Sequence, residues 1–229
     1  MSLNIETPAD FRSILSRSWE IFQTLGIRGL WFKVLGETVY RRLAVFEKKL
    51  SADLPHPVVP ENMEIQLLQA SEIEEFVKFR TFNDHATVVD RLANGQICVV
   101  VKHRNEFIHC TWIAGGGVRI DYQDCDIELA NGVAYAYEAY TSAAWRRRGV
   151  ATMRSPALSH YCMEHGYKLR IAVVGIENRA AISATEKTGN IVAGELAYFG
   201  AGRFKKHYLR CKGNKPPFQI VKKVRQGEC

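Results

Sequence analysis

The chain lacks several features that would narrow its class at once. No apolar run reaches the roughly 18 residues that a membrane-spanning helix needs. The opening stretch MSLNIETPADF has neither the basic nor the apolar region of a secretory signal. Together these absences lead us to expect a cytoplasmic protein. Cysteine is sparse and scattered, at Cys98, Cys110, Cys125, Cys162, Cys211 and Cys229. No pair has C-x-x-C spacing and no His/Cys group has zinc spacing, so neither a disulfide frame nor a metal site is expected. The cysteines read as buried or free thiols. Ser155 sits in RSPA, outside a G-x-S-x-G elbow, and His103, His109, His160 and His165 have no evident nucleophile to serve. A serine hydrolase therefore has no support.

Charge of one sign is lacking where nucleic acid would need it. The net charge is +7, but residues 1–50 carry +3 and residues 203–229 carry +8, leaving −4 on residues 51–202. A nucleic-acid groove would run through the folded body, so no nucleic-acid partner is expected. The basic ends read as solvated, with contact to an anionic membrane or partner as the alternative. What the chain does have is 47% hydrophobic residues over 229 positions, enough for one large domain with an appendage.

Apolar residues recur at helical spacing over Phe11–Leu25 and again at Trp31, Val34, Leu35, Val39, Leu43 and Phe46. The proline-rich LPHPVVP that follows suits neither a helix nor a central strand. We therefore read 1–54 as an amphipathic helical extension and 55–62 as a linker. The extension could dock on the following domain, pair with a second copy in a homodimer, or lie on a membrane. A domain over 63–211 and a basic tail over 212–229 complete the division. Within the domain the order reads β α α β β β α β α β β. DYQDCDIE, with Asp121, Asp124, Asp126 and Glu128, is an acidic loop. NGVAYAYEAYT and YKLRIAVVG are central strands, and the helix at GVATMRSPALSHYCMEHG carries Pro156. This is a mixed α/β sheet with helices on both faces.

The stretch WRRRGVA links a central strand to that helix. A helix start offers backbone N–H groups without intrahelical partners and a positive dipole end. Gly149 lets a ligand approach the backbone and Ala151 keeps the next turn clear. Arg146, Arg147 and Arg148 add charge, so the turn suits a pyrophosphate. It is neither G-x-x-x-x-G-K-[ST] nor G-x-G-x-x-G.

Arg146-Arg147-Arg148-Gly149-Val150-Ala151 resembles the Q/R-x-x-G-x-G/A motif of the GNAT acetyltransferase superfamily. Asn178, Ala181, Lys187 and Gly189 match the spacing of N-x-x-A-x-x-x-Y-x-K-x-G-F, a second pattern of that family, and the intervening strand LRIAVV also fits. The resemblance covers about residues 63–211. It implies a GNAT-type mixed, splayed central sheet, acetyl-CoA as cosubstrate with no metal, and transfer of an acetyl group to the primary amine of a small molecule. The pyrophosphate would meet Arg146–Ala151 and Thr152. Ala139, Tyr140 and Thr141 would hold the pantetheine and thioester. Asn178, Thr185 and Lys187 would line the thiol end. The family's tyrosine acid falls at Thr185, and its phenylalanine at Asn190. Tyr198 is then the candidate acid, with Tyr208 or water as alternatives. Glu138, the single charged side chain between Gly132 and Trp145, is the candidate base, or else a structural or substrate-binding carboxylate. Burial would raise its pKa. A longer-chain acyltransferase at a membrane and a non-catalytic acyl-CoA sensor remain open alternatives.

Overall fold

A computed structural model describes residues 40–54, 56–120, 125–200, 206–212 and 216–221. The expected helix at Phe11–Leu25, Asp121, Asp124, Cys229 and the end of the basic tail lie outside them.

The strands are β1 (Tyr40–Lys49), β2 (Met63–Leu67), β3 (Ile97–His103), β4 (Glu106–Ala114), β5 (Gly117–Ile120), β6 (Cys125–Leu129), β7 (Val133–Thr141), β8 (Leu169–Gly175), β9 (Ile191–Phe199), β10 (Lys206–Cys211) and β11 (Phe218–Val221). The helices are α1 (Ile73–Phe79), α2 (His85–Ala93), α3 (Val150–Glu164) and α4 (Arg179–Lys187). Eight strands form one sheet in the order β10-β9-β1-β8-β7-β4-β3-β2, and β11-β6-β5 form a second. Every neighbouring pair is antiparallel except β7 and β8, which α3 connects. The expected mixed sheet is therefore present. No described helix is long and apolar enough to cross a membrane.

Three expectations need correction. The helix expected through Phe46 gives way to strand β1, which pairs with β8 on one side and β9 on the other. Leu43, Val45 and Phe46 are fully buried, and a register shift lies between Val45 and Phe46. That bulge breaks the strict alternation of a strand and leaves Leu43 and Phe46 buried three residues apart, a spacing that a helix also has. The sheet thus begins ahead of the proline-rich segment, so 55–62 does not separate an extension from the domain. Asp126 and Glu128 belong to strand β6 and not to a loop. They alternate with buried Cys125, Ile127 and Leu129. Phe218–Val221, assigned to the tail, pairs with β6 and buries Phe218.

The small sheet covers one face of the large one. Ile120, Ile127 and Phe218 pack there against Leu43, Val45, Tyr135, Ile171 and Leu196. Further along, α1 and α2 bury Phe76 and Val88 against Val100, Cys110 and Trp112. On the opposite face, Leu158 and Cys162 of α3 meet Val99, Ile113 and Ala134. The described cysteines are all free thiols, as expected, and four of them are buried.

If β1 is a core strand, Leu43→Ala leaves a cavity in the sheet interior and costs about 2–5 kcal/mol. Urea unfolding should show a lower midpoint at an unchanged slope. A midpoint like that of wild type would remove β1 from the cooperative core.

Candidate functional site

The ladder between β7 and β8 runs from Val133–Leu169 to Ala136–Ala172 and then stops. β7 continues to Thr141 along β4, and β8 continues to Gly175 along β1. The register of the two strands ends there, and they diverge toward their separate neighbours. A cleft of about 340 Å³ occupies this wedge, lined by Ala139, Asn178, Ala181 and Thr185 among others.

A bulge re-aims β7 at the wedge. Tyr140 pairs with Cys110 and Tyr137 with Trp112, so Glu138 and Ala139 together face Thr111. Glu138 has φ +47°, in the left-handed region that a non-glycine residue rarely adopts. Its side chain offsets that strain. Arg91 of α2 donates from Nη1 to Oε2 at 2.9 Å and from Nη2 to Oε1 at 2.6 Å. Asn83, itself buried, donates to Oε2 at 3.2 Å. A bidentate guanidinium–carboxylate pair is among the stronger contacts a side chain can make.

The electrostatic outcome reverses one expectation. Burial does push the Glu138 carboxyl upward, but Arg91, Asn83 and the Arg80 charge outweigh it and hold it below its ordinary value. Glu138 is thus a committed carboxylate with both oxygens engaged. It also borders a second cleft of about 800 Å³, which Phe82, Asp90, Arg119, Ile120 and Tyr135 help to line. Tyr137 and Glu138 are shared by both clefts.

At the start of α3 two left-handed residues alternate, Arg147 at φ +63° and Gly149 at φ +74°. Such alternation turns successive backbone N–H groups toward one side and makes an anion nest. The first internal bond of α3 runs from Met153 N–H to Gly149 O at 2.9 Å. The N–H groups of Val150, Ala151 and Thr152 therefore have no acceptor within the helix. A Cβ built on Gly149 would meet no atom within 4 Å, so the approach is open. Arg146, Arg147 and Arg148 are exposed. Arg146 Nε donates to Thr141 O at 3.2 Å, and Arg148 lies over the Trp145 ring at 5.1 Å. Val150 is a core side chain and offers only its backbone.

Other candidate residues fare differently. Asn178 lines the wedge while its side chain caps α4, accepting from Ala181 N–H at 3.1 Å. Thr185 also lines the wedge, with its hydroxyl donating to Ala181 O at 2.8 Å. Lys187 is exposed and does not line it. Asn190 ties off α4 by donating to Thr185 O at 2.9 Å. Thr141 holds the ring of His109 at 2.8 Å, and burial with the nearby Arg154 charge keeps that histidine's pKa well below its usual value. Tyr140 packs on Phe79 and beneath the Arg80 guanidinium at 4.6 Å. Tyr198 is 1% exposed on β9 and lines neither cleft, so the structure does not bring this candidate acid to the site. Tyr208 is on β10, outside both clefts.

Sequence reasoning missed Arg91, Asn83, Arg154 and Arg170. The last two left a signal. Arg154 falls four residues after Val150 and four before Leu158, on the buried stripe of α3, and Arg170 lies within a central strand. Arg91 meets Glu138 across 47 residues, and no local pattern announces it.

No protein-family description matches the chain, and no curated protein matches it by sequence. Solved structures do match. An acetyltransferase of the GNAT family from Colwellia psychrerythraea is 12% identical, covering 86% of this chain and 76% of its own, at a TM-score of 0.52. A GCN5-related N-acetyltransferase from Kribbella flavida is 14% identical over 78% of this chain and 65% of its own, at 0.51. A Drosophila protein is 13% identical over 79% of this chain, at 0.51, and the chain spans only 57% of it.

The ion pair makes a pH prediction. Glu138 titrates below the ordinary carboxylate range, so the pair's contribution to stability is complete above that range and is lost as pH falls through the depressed value. In Arg91→Met the main lowering contact is gone and burial prevails. Glu138 should then titrate above the ordinary value, as carboxyl carbon NMR would read. An unchanged titration would mean that Arg91 does not set it.

The divergence of β7 from β8, the bulge facing it and the nest at the start of α3 occur together on a sheet of this topology, and the chain has the fold of the GNAT acetyltransferases.

Proposed function

We propose that this protein transfers an acyl group from a coenzyme A thioester to the primary amine of a small molecule. The observation that carries this reading is the wedge between β7 and β8, open beside a bulge and next to the nest at the start of α3. A parallel pair that separates after four residue pairs leaves backbone groups for an extended ligand to bond, as an added strand would. Pantetheine has amide groups suited to that role. The nest and the exposed arginines fit a pyrophosphate by charge and by the direction of their N–H groups. Val150, Ala151, Thr152, Arg147 and Arg148 would bind it, with Arg146 fastening the turn to Thr141. Ala139, Tyr140 and Thr141 would hold the thioester end, and Asn178 and Thr185 would face it across the wedge.

The second cleft is the entrance for the amine. It borders the same bulge, so donor and acceptor would meet at Tyr137 and Glu138. The neutral amine nitrogen attacks the thioester carbonyl, an N–C bond forms, the C–S bond breaks, and a proton from the amine reaches the departing sulfur through water. Backbone donors of the bulge stabilise the oxyanion. Glu138 acts here as a positioning residue: its ion pair with Arg91 holds the left-handed bulge in place, and its lowered pKa makes it a poor proton acceptor at neutral pH.

Binding of acetyl-CoA by calorimetry and thiol release over an amine panel test the reading. Sustained release supports transfer, whereas binding without release supports a sensor. Gly149→Glu places a carboxylate against the nest and should weaken coenzyme binding at least ~100-fold through repulsion. Gly149→Ala has room for its Cβ and bears only the left-handed penalty, about 1 kcal/mol of stability. Equal affinity in Gly149→Glu and wild type would remove the nest from the site. Glu138→Gln should lower kcat/KM about tenfold with the pH profile intact from pH 6 to 9. A loss beyond the ~100-fold typical of a missing base, with one limb of the profile gone, would make Glu138 the base instead.

A further inference from the structure

Helix α3 buries an arginine on a face that also holds Val150, Leu158 and Cys162 and the small polar Ser155 and Ser159. Val150, Arg154, Leu158 and Cys162 recur every four residues, and all are buried. Arg154 is 7% exposed, and its Nε and Nη1 have no hydrogen-bond partner. Arg170 of β8 is 3% exposed, with Nη1 donating to Ser159 Oγ at 3.1 Å. Both line the wedge, and no described carboxylate pairs with either. The two carboxylates that also line it are already engaged: Glu138 by Arg91 at 2.6 Å, and Glu177 by Arg41 at 3.5 Å.

A buried, unpaired cation is among the most costly groups a fold can hold, and such charges are normally paired. Here two lie together. Burial and the Arg170 charge bring Arg154 down to about 9, and burial with both arginines lowers Lys48 as well. Lys48 Nζ donates to Thr188 O at 2.8 Å, and Thr188 also lines the wedge. Hydrophobic residues of like volume would stabilise this core better, so the arginines fit a ligand that supplies the missing charge.

We propose that Arg154 and Arg170 form a buried subsite for a carboxylate at the far end of the acyl group, so that the preferred donor is the monothioester of a short dicarboxylic acid. This rests on the coenzyme A reading above. The pyrophosphate nest is exposed at Arg147–Gly149, whereas Arg154 lies ~7.5 Å further along the helix axis at 1.5 Å per residue, inside the core. The amine acceptor is served by the second cleft, which neither arginine lines. The wedge itself joins the two arginines to Ala139 and Thr185, where the thioester would sit. A guanidinium fork donates two parallel hydrogen bonds to a carboxylate. The carboxylate undergoes no covalent change: it fixes the acyl chain while the thioester carbonyl reacts.

Calorimetry on the full chain with acetyl-CoA, butyryl-CoA and succinyl-CoA tests this. Wild type should bind succinyl-CoA at least ~10-fold more tightly than the other two, as expected of a desolvated charge pair. In Arg154→Met that preference should fall below twofold, while the unliganded variant melts several degrees higher for want of its buried charge. Arg154→Lys, which keeps a cation without the fork, should retain part of the preference. Equal affinities in wild type overturn the subsite without need of any variant. An equal loss for all three thioesters in Arg154→Met makes Arg154 a contact to the coenzyme's own phosphates and also overturns it. Binding of acetyl-CoA without preference for succinyl-CoA defeats the subsite alone, and no binding of any thioester defeats the coenzyme reading with it.

Discussion

The parallel register of β7 and β8 ends at Ala136 and Ala172, and the rest of the site depends on that ending. Each strand has a second neighbour that it follows to its tip, β4 for β7 and β1 for β8. The sheet cannot close the gap without giving up one of those ladders. Twist between neighbouring strands then widens it. A left-handed Glu138 at the mouth would be a weak point in an ordinary strand, yet a bidentate ion pair to α2 holds it. The site is built from backbone held open by side chains on other elements.

Two treatments of buried charge lie within one cleft. Glu138 is neutralised where it is made, by a guanidinium from α2 and an amide from Asn83. Arg154 is not, and its neighbour Arg170 adds to the repulsion. The first arrangement contributes a fixed geometry. The second leaves a local positive potential in the protein interior, where Coulomb interactions are screened less than in water. Binding an anion there would relieve a cost already present in the empty protein.

Much of this was legible in the sequence, and the reasons are local. The turn at Arg146–Ala151 announces itself because a glycine, arginines and a helix start fall within six residues. β7 and β8 are recognisable because apolar residues fill both faces, and Gly189 ends α4 as expected. β1 is not recognisable, because its bulge breaks the alternation that marks a strand and leaves Leu43 and Phe46 three residues apart. β6 was hidden by its acidic outward residues, which dominate the eye while Cys125, Ile127 and Leu129 face the core. The Arg91–Glu138 pair joins elements far apart in the chain, and periodicity carries no such information. Arg154 was visible as a charge on an apolar stripe, but its proximity to Arg170 is a product of folding alone.

β1 carries a further consequence, for the order in which the chain can fold. It leaves the ribosome ahead of its partners β8 and β9, which follow roughly 120 to 160 residues later. During that interval a strand with Leu43, Val45 and Phe46 has both edges unpaired, which is the condition that invites association with other chains. The charged residues around that apolar centre are Arg41, Arg42, Glu47, Lys48 and Lys49, with a net positive balance. Basic residues on either side of an exposed apolar strand repel copies of themselves and act as gatekeepers during synthesis. In the finished sheet Arg42 takes Glu195 as a partner and Lys48 reaches Thr188. Two cations placed to repel other copies of the nascent strand thus end as fasteners of the strand beside the wedge.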